Sequence, residues 1–296
     1  MNLPEQVTIY EVGARDGLQN EKTAVPVEVK AEFIGRLADA GLTTIEATSF
    51  VHPKWVPQLA DADELMAGLE RRPGVNYPVL VPNERGMGRA LAAGVEEIAI
   101  FASATEAFAR KNLNRSMDEQ YAMFEPVVSR ALAEGLRVRA YLSMAFGDPW
   151  EGDVPIPQVV AAGKRLLEMG CYQLSLGDTI GVGTAGHVQE LISAFGGPER
   201  LAVHFHDTYG QALANTLAAL QAGVTTVDAS TGGLGGCPYA KSATGNLATE
   251  DLVWMLDGLG VRHGVSLDAL VETSLWMASR LGRPSPSRVV TARSNS

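Results

Sequence analysis

The chain has 296 residues, 46% of them hydrophobic, with a mean hydropathy of +0.03 and 24 Lys plus Arg against 34 Asp plus Glu, a formal net charge of −10. That composition excludes a disordered chain, a collagen and a membrane bundle. The acidic excess argues against nucleic acid or an anionic membrane as a partner.

Taken in chain order, eight short runs rich in aliphatic and β-branched residues recur: Val7–Val12, Thr43–Phe50, Tyr77–Val81, Glu97–Ser103, Arg137–Met144, Tyr172–Asp178, Leu201–Asp207 and Thr225–Ser230. Most are apolar throughout rather than alternating, which is the pattern of parallel strands covered on both faces. Helical spacing of apolar residues separates them. Val29-Phe33-Ile34-Leu37-Ala40 leads to Gly41, Met123-Val127-Val128-Ala131-Leu132 to Gly135, Val159-Val160-Gly163-Leu166-Leu167 to Gly170, and Leu213-Leu217-Leu220 to Gly223. Each glycine stands where a left-handed helix terminus is wanted. Ala248–Leu259 and Leu267–Leu281 read as two further helices, and the Pro/Ser/Arg-rich stretch from Gly282 as a frayed tail.

Eight strands alternating with helices predict an α/β fold, a (β/α)₈ TIM barrel with a short C-terminal helical extension. The expectation is one catalytic domain over 1–296, with the barrel at about 5–260 and helices and tail at about 261–296. A doubly wound sheet would carry a nucleotide fingerprint after its first strand, where this chain has GARDGLQN. The GxGxxG match Gly181–Gly186 lacks the acidic residue about 20 positions on that a dinucleotide ribose needs, so it reads as a glycine loop opening a helix.

No run of about 18 apolar residues could span a bilayer, the N-terminal MNLPEQVTIYEVG lacks the features of a secretory signal, and the final Ser-Asn-Ser is no sorting address. The two cysteines, Cys171 and Cys237, have no CxxC spacing. These features together predict a cytoplasmic, reducing setting. Cys171 reads as structural, at the base of the sixth strand.

In a barrel the loops after the strands meet at one rim, so polar residues at strand ends become one site. Here the strand ends offer Glu11, Arg15 and Asp16; Glu46, Thr48 and Ser49; Ser175, Asp178 and Thr179; and His204, His206 and Asp207. His204 and His206, two apart on a strand, point to the same face. Two imidazoles with the Asp16 carboxylate and the Asn246 amide would make an N/O shell for a divalent cation, against the alternative of two core histidines. Arg15-Asp16 has the competing reading of a surface ion pair. Glu46, inside an apolar run, needs a partner, for which Arg15 and a nearby imidazole are candidates. Cys237, after four glycines within five residues and before Pro238, suits a gated proton donor; the competing reading is a small core residue. Trp55 and Trp150 read as packing or rim residues.

The segments YEVGARDGLQNE, IEATSFVHPKWVPQLAD, SLGDTIGVGT, HFHDTYGQALANTLAALQAG and GLGGCPYAKSATGNLATEDLV, in this order over about 7–260, resemble the 3-hydroxy-3-methylglutaryl-CoA lyase family. RDGLQNE is shared with a wider group of metal-dependent barrels, and GLGGCPYA singles out the lyases. The resemblance implies Asp16, His204, His206 and Asn246 around Mg²⁺ or Mn²⁺. Arg15 and Cys237 are implied as catalytic, Glu46 as supporting the site, and Asp16 or His204 as the base. It further implies that Gln19, Lys22, Ser49, Asn112, Ser175, Asp178 and Thr179 line the pocket or reach an acyl-CoA. Apart from the resemblance, a homo-oligomer, a dimer, is expected. His52, Ala185 and Thr231-Gly232 depart from the family pattern and leave the branch at C3 of the substrate open. A condensing enzyme running the same bond the other way is the alternative reading, and a non-catalytic metal-binding barrel a remoter one.

Overall fold

The computed structural model describes residues 2–236 and 245–294. Among them eight strands occur: β1 (Thr8–Glu11), β2 (Thr48–Ser49), β3 (Val79–Leu80), β4 (Glu97–Ser103), β5 (Arg137–Ser143), β6 (Gln173–Asp178), β7 (Leu201–Phe205) and β8 (Thr226–Ala229). All pair in parallel, in the order β1-β8-β7-β6-β5-β4-β3-β2. Backbone bonds then join the two ends of that sheet. Glu11 N donates to Thr44 O at 3.0 Å and Glu46 N to Glu11 O at 2.8 Å. The sheet is thereby closed into the expected (β/α)₈ barrel.

The predicted strands at Glu97–Ser103, Arg137–Met144 and Tyr172–Asp178 match closely, whereas the second and third are far shorter than their apolar runs. Pro78 and Pro82 bracket β3, and neither can donate to a ladder. Pairing along 43–50 therefore breaks into isolated contacts at Thr44 and Ile45 before the two-residue β2. The helices Val27–Asp39, Met117–Ala133, Ile156–Glu168 and Ala212–Gln221 fall where the apolar spacing puts them. Gly41, Gly135, Gly170 and Gly223 follow them with φ of +99°, +78°, +117° and +95°, a region that other residues enter only with strain.

The core lies between the barrel wall and its helices, where Phe33, Ile34, Leu37, Phe124, Val127, Leu166, Leu174, Leu191 and Val203 are fully buried. The barrel interior holds a charged layer. Arg139 on β5, wholly buried, lies over the rings of Tyr10 at 4.0 Å and Tyr141 at 4.9 Å, and pairs with Asp228 on β8. Strand register aligns Tyr10, Asp228 and His204 across β1, β8 and β7.

The chain beyond Gly282 corrects the expectation of a frayed tail. Arg288–Ser294 is a helix with Val290 buried. Asp251 organises its start, accepting from Ser287 Oγ at 2.7 Å, Val289 N at 2.9 Å and Arg288 N at 3.1 Å. A carboxylate at a helix start satisfies amides that have no partner within the helix. No described helix is long and apolar enough to cross a membrane.

Candidate metal centre at the barrel mouth

Asp16 sits on a single π-helical turn, Gly13–Gly17, immediately after β1. The turn packs tightly enough on the loop after β8 that a Cβ at Gly17 would come within 2.8 Å of Leu234 Cβ and 2.9 Å of Ser230 Oγ. His204 is on β7, and His206 follows its last residue. Asn246 arrives from the far side of the glycine loop, where backbone bonds from Leu247 N to Phe205 O and from Ser230 N to Leu247 O stitch it between the ends of β7 and β8. His206 and Asn246 face each other across an antiparallel bridge.

Ligand atoms of Asp16, His204 and His206 lie within 4.8 Å of one another. His204 Nε2 is 4.0 Å from Asp16 Oδ2, and the two imidazole centroids are 5.4 Å apart. Asn246 Nδ2 donates to Asp16 Oδ2 at 2.9 Å and to Leu234 O at 3.0 Å. Its Oδ1 is buried with no hydrogen-bond partner among the described residues. A buried acceptor left open beside two imidazoles and a carboxylate fits a divalent cation with mixed N/O ligands. The core-histidine alternative gives no reason for that open oxygen.

Arg15, only 6% exposed, is no surface ion pair. Its Nε donates to Glu46 Oε2 and its Nη1 to Asp16 Oδ1, both at 2.7 Å. Nη2 has no partner among the described residues. Glu46 finds Arg15 as expected, but its other donor is the Tyr141 hydroxyl at 3.0 Å rather than an imidazole, because His204 turns its Nδ1 to Asp228 at 3.2 Å.

The electrostatics follow from burial opposed by these pairs. Burial disfavours charge on Asp16, but Arg15, His204 and His206, with the Asn246 amide, outweigh it and hold the carboxyl below its ordinary value. Burial likewise opposes the Arg15 charge, and Glu46 and Asp16 more than restore it, so the guanidinium is permanently cationic. On Glu46 burial prevails over Arg15 and lifts the carboxyl. Asp228 is held low, since Arg139 and His204 overcome its burial. For His204, burial opposes the imidazolium but the Asp228 bond and charge raise its pKa.

Arg15, Asp16, Glu46, His204, His206 and Asn246 are thus brought together. Cys237 lies outside the described residues. The other predicted pocket residues support loops or stand apart. Ser49 Oγ accepts from Val51 N, Thr179 Oγ1 from Met144 N, and Ser175 Oγ donates to Asp228 below the rim. Asp178 accepts from Val182 N and Gly183 N, pinning the Gly181–Gly186 loop, and burial pushes its carboxyl up to about 6. Gln19 is half-buried just beyond the π-turn, while Lys22 and Asn112 are exposed. Cys171 is buried ahead of β6 with its thiol pushed up to about 12 by burial, as suits a structural role.

Two features escape a reading of strand ends alone, and Glu11, a strand-end residue, takes a supporting role. Asp228 and Arg139 sit deeper in the barrel, and Tyr141 shares Glu46 with Arg15. Glu11 accepts from Gly13 N, Thr231 N, Thr231 Oγ1 and Thr249 Oγ1, and Glu250 accepts from Gly232 N, so two buried carboxylates anchor the start of the glycine loop.

Fold and donor set together define a (β/α)₈ barrel with a candidate metal centre at the carboxyl ends of its strands. The HMGL-like family model matches residues 6–276. The chain is 54% identical over 293 residues to the mitochondrial hydroxymethylglutaryl-CoA lyase of Rattus norvegicus, covering 98% of this chain and 90% of that one. The crystal structure of hydroxymethylglutaryl-CoA lyase from Pseudomonas aeruginosa superposes with a TM-score of 0.96 at 50% identity, covering 99% and 98% of the two chains. An HMG-CoA lyase from Acinetobacter baumannii, in complex with coenzyme A and 3-methylmalate, does so with a TM-score of 0.93 at 35% identity over 97% and 95%. The chain belongs to the HMGL-like family.

Proposed function

We propose that this chain is a hydroxymethylglutaryl-CoA lyase, a carbon–carbon lyase that cleaves 3-hydroxy-3-methylglutaryl-CoA, or a close 3-hydroxyacyl-CoA analogue, to acetyl-CoA and acetoacetate. The observation that carries the reading is the convergence of Asp16, His204, His206 and the open Asn246 Oδ1 beside Arg15 Nη2. The coenzyme A in the Acinetobacter relative supports an acyl-CoA as substrate. Residues 1–296 act as one catalytic domain.

Asp16, His204, His206 and Asn246 hold a divalent cation, Mg²⁺ or Mn²⁺. When bound, the cation supplies Lewis acidity toward the tertiary hydroxyl and the distal carboxylate of the substrate. The chain's own residues do the rest. Of the two candidate bases on the same rim, Asp16 and His204, it is Asp16 that takes the hydroxyl proton, since His204 as a ligand through Nε2 keeps no free lone pair. The C2–C3 bond then breaks: C3 becomes the ketone of acetoacetate, and its bonding pair passes to the thioester as the enolate of acetyl-CoA. Arg15, held by Glu46 and Asp16, presents Nη2 to the thioester oxygen as charge develops there. Cys237 gives its proton to C2, completing the methyl group. Purified protein with Mg²⁺ or Mn²⁺ should release acetoacetate from 3-hydroxy-3-methylglutaryl-CoA. No release with either metal, at a concentration that saturates the site, would overturn the reading.

A further inference from the structure

His204 can offer Nε2 to a cation only if that nitrogen is unprotonated, which requires the ring proton on Nδ1. Asp228 faces Nδ1. We propose that Asp228 is the positioning residue of the metal centre: it holds His204 as the Nδ1–H tautomer, with the Nε2 lone pair aimed at Asp16, and Arg139 keeps it in that role. The proposal deepens the reading of Asp16, His204, His206 and Asn246 as the cation's ligands and rests on it.

The geometry specifies both halves. Asp228 Oδ2 lies 3.2 Å from His204 Nδ1, while His204 Nε2 is 4.0 Å from Asp16 Oδ2. On its other side Asp228 is clamped by Arg139, Nη2 to Oδ1 at 2.6 Å and Nη1 to Oδ2 at 3.2 Å, and Ser175 Oγ donates to Oδ2 at 2.8 Å. Arg139 is itself fixed, with Nε on Gln173 Oε1 at 2.9 Å and Gln173 Nε2 on Thr226 Oγ1 at 3.0 Å. All neighbours of the Asp228 carboxylate other than His204 are therefore donors in a settled orientation. A carboxylate so surrounded accepts, and the one arrangement that adds a fourth bond is Nδ1–H of His204 donating to Oδ2. Asp228 and Arg139 are both buried, so water is a poor substitute for either partner. A buried carboxylate behind a ligating imidazole is a recurrent way of setting its tautomer and basicity.

Asp228→Asn makes the inference testable because it keeps the size of the side chain. Arg139 approaches the Oδ1 position at 2.6 Å but the Oδ2 position only at 3.2 Å, and the Ser175 hydroxyl beside Oδ2 can turn to accept, so the amide oxygen takes the Oδ1 position and the NH₂ faces His204. His204 must then accept on Nδ1 and carry its proton on Nε2. The expected result is Mn²⁺ affinity, followed by the ion's electron paramagnetic resonance, lowered by about 10–100-fold. Turnover of the variant should recover as Mn²⁺ is raised to saturation, which a merely structural lesion would not do. An Asn variant that binds Mn²⁺ as the parent does overturns the proposal.

Nitrogen chemical shifts of ¹⁵N-histidine in the metal-free parent protein provide a measurement independent of that variant's folding. At a pH where the ring is neutral they should report His204 protonated on Nδ1; a neutral ring with its proton on Nε2 overturns the proposal. If the parent protein itself failed to bind Mn²⁺, the ligand assignment would fall, and this role with it. A lack of lyase turnover with Mn²⁺ bound would instead count against the proposed reaction alone.

Discussion

Asn246 spends both protons of its amide on neighbours, one on Asp16 Oδ2 at 2.9 Å and one on Leu234 O at 3.0 Å. The carbonyl oxygen is left buried and open among the described residues. Its orientation is thus set by the residues that flank it rather than by a ligand. If Asn246 is a ligand as proposed, replacing it with alanine removes a donor from the cation's shell and an anchor from Asp16 together. Mn²⁺ affinity is expected to fall by at least about tenfold, with the far-ultraviolet circular dichroism unchanged. His206→Ala should act in the same direction. Loss of the folded signal with metal affinity retained would restore the reading of the two histidines as core residues.

Arg15 makes a separable prediction. Two of its nitrogens hold it in place and the third has no partner among the described residues, so with the role proposed for it Arg15→Met should lower kcat by about 10²–10³, the scale for one lost oxyanion donor, and change KM far less. Steady-state kinetics at saturating metal decide it. An unchanged kcat would make Arg15 a structural partner of Glu46 only.

The pH dependence of stability carries the signature of Glu250. Burial pushes its carboxyl up to about 8, with Gly232 N shared between its two oxygens. Between the ordinary carboxyl value, near 4.5, and about 8, the folded state holds a proton that the unfolded chain has lost. Stability contributed by this group is therefore greatest below that window and declines as pH rises through it. One proton is worth about 1.4 kcal/mol per pH unit at most. Glu250→Gln, neutral at every pH, should flatten the fall in Tm between pH 5 and pH 8 relative to the parent. An identical pH profile in the two proteins would mean that Glu250 ionises as freely folded as unfolded.

The strand ends were legible in the sequence because a charge inside an apolar run has few places to go. Glu46 and the two histidines stand out on that ground, and so does the (β/α)₈ periodicity that puts them on one rim. Asp228 within Thr225–Ser230 and Arg139 within Arg137–Met144 carry the same signal, but their pairing does not. The two lie 89 positions apart and meet through the barrel's register, which spacing along the chain does not encode. Tyr141 is hidden for a related reason, since a tyrosine in a strand reads as ordinary core until the barrel brings Glu46 beneath its hydroxyl. The C-terminal helix is missed because the side chain that starts it, Asp251, belongs to the preceding Thr249–Leu259 helix.

Cys237 supplies the last prediction. Four glycines precede it and Pro238 follows, and the described chain resumes by Asn246 at the candidate metal centre. Serine is nearly the same size but far less acidic, so Cys237→Ser should preserve folding while losing proton delivery to C2. General acid catalysis is worth about 10²–10⁴-fold, and kcat should fall within that range. Alkylating reagents should inactivate the free enzyme faster than the substrate-bound one, as expected of a thiol that delivers a proton to bound substrate. The second cysteine provides the internal control: Cys171 is buried, its thiol is pushed up to about 12, and it should react far more slowly. Mass spectrometry of the alkylated peptides separates the two. A fully active serine variant, or inactivation that tracks Cys171, would reject the proton-donor role; a variant that loses Tm but keeps its turnover would make Cys237 a packing residue.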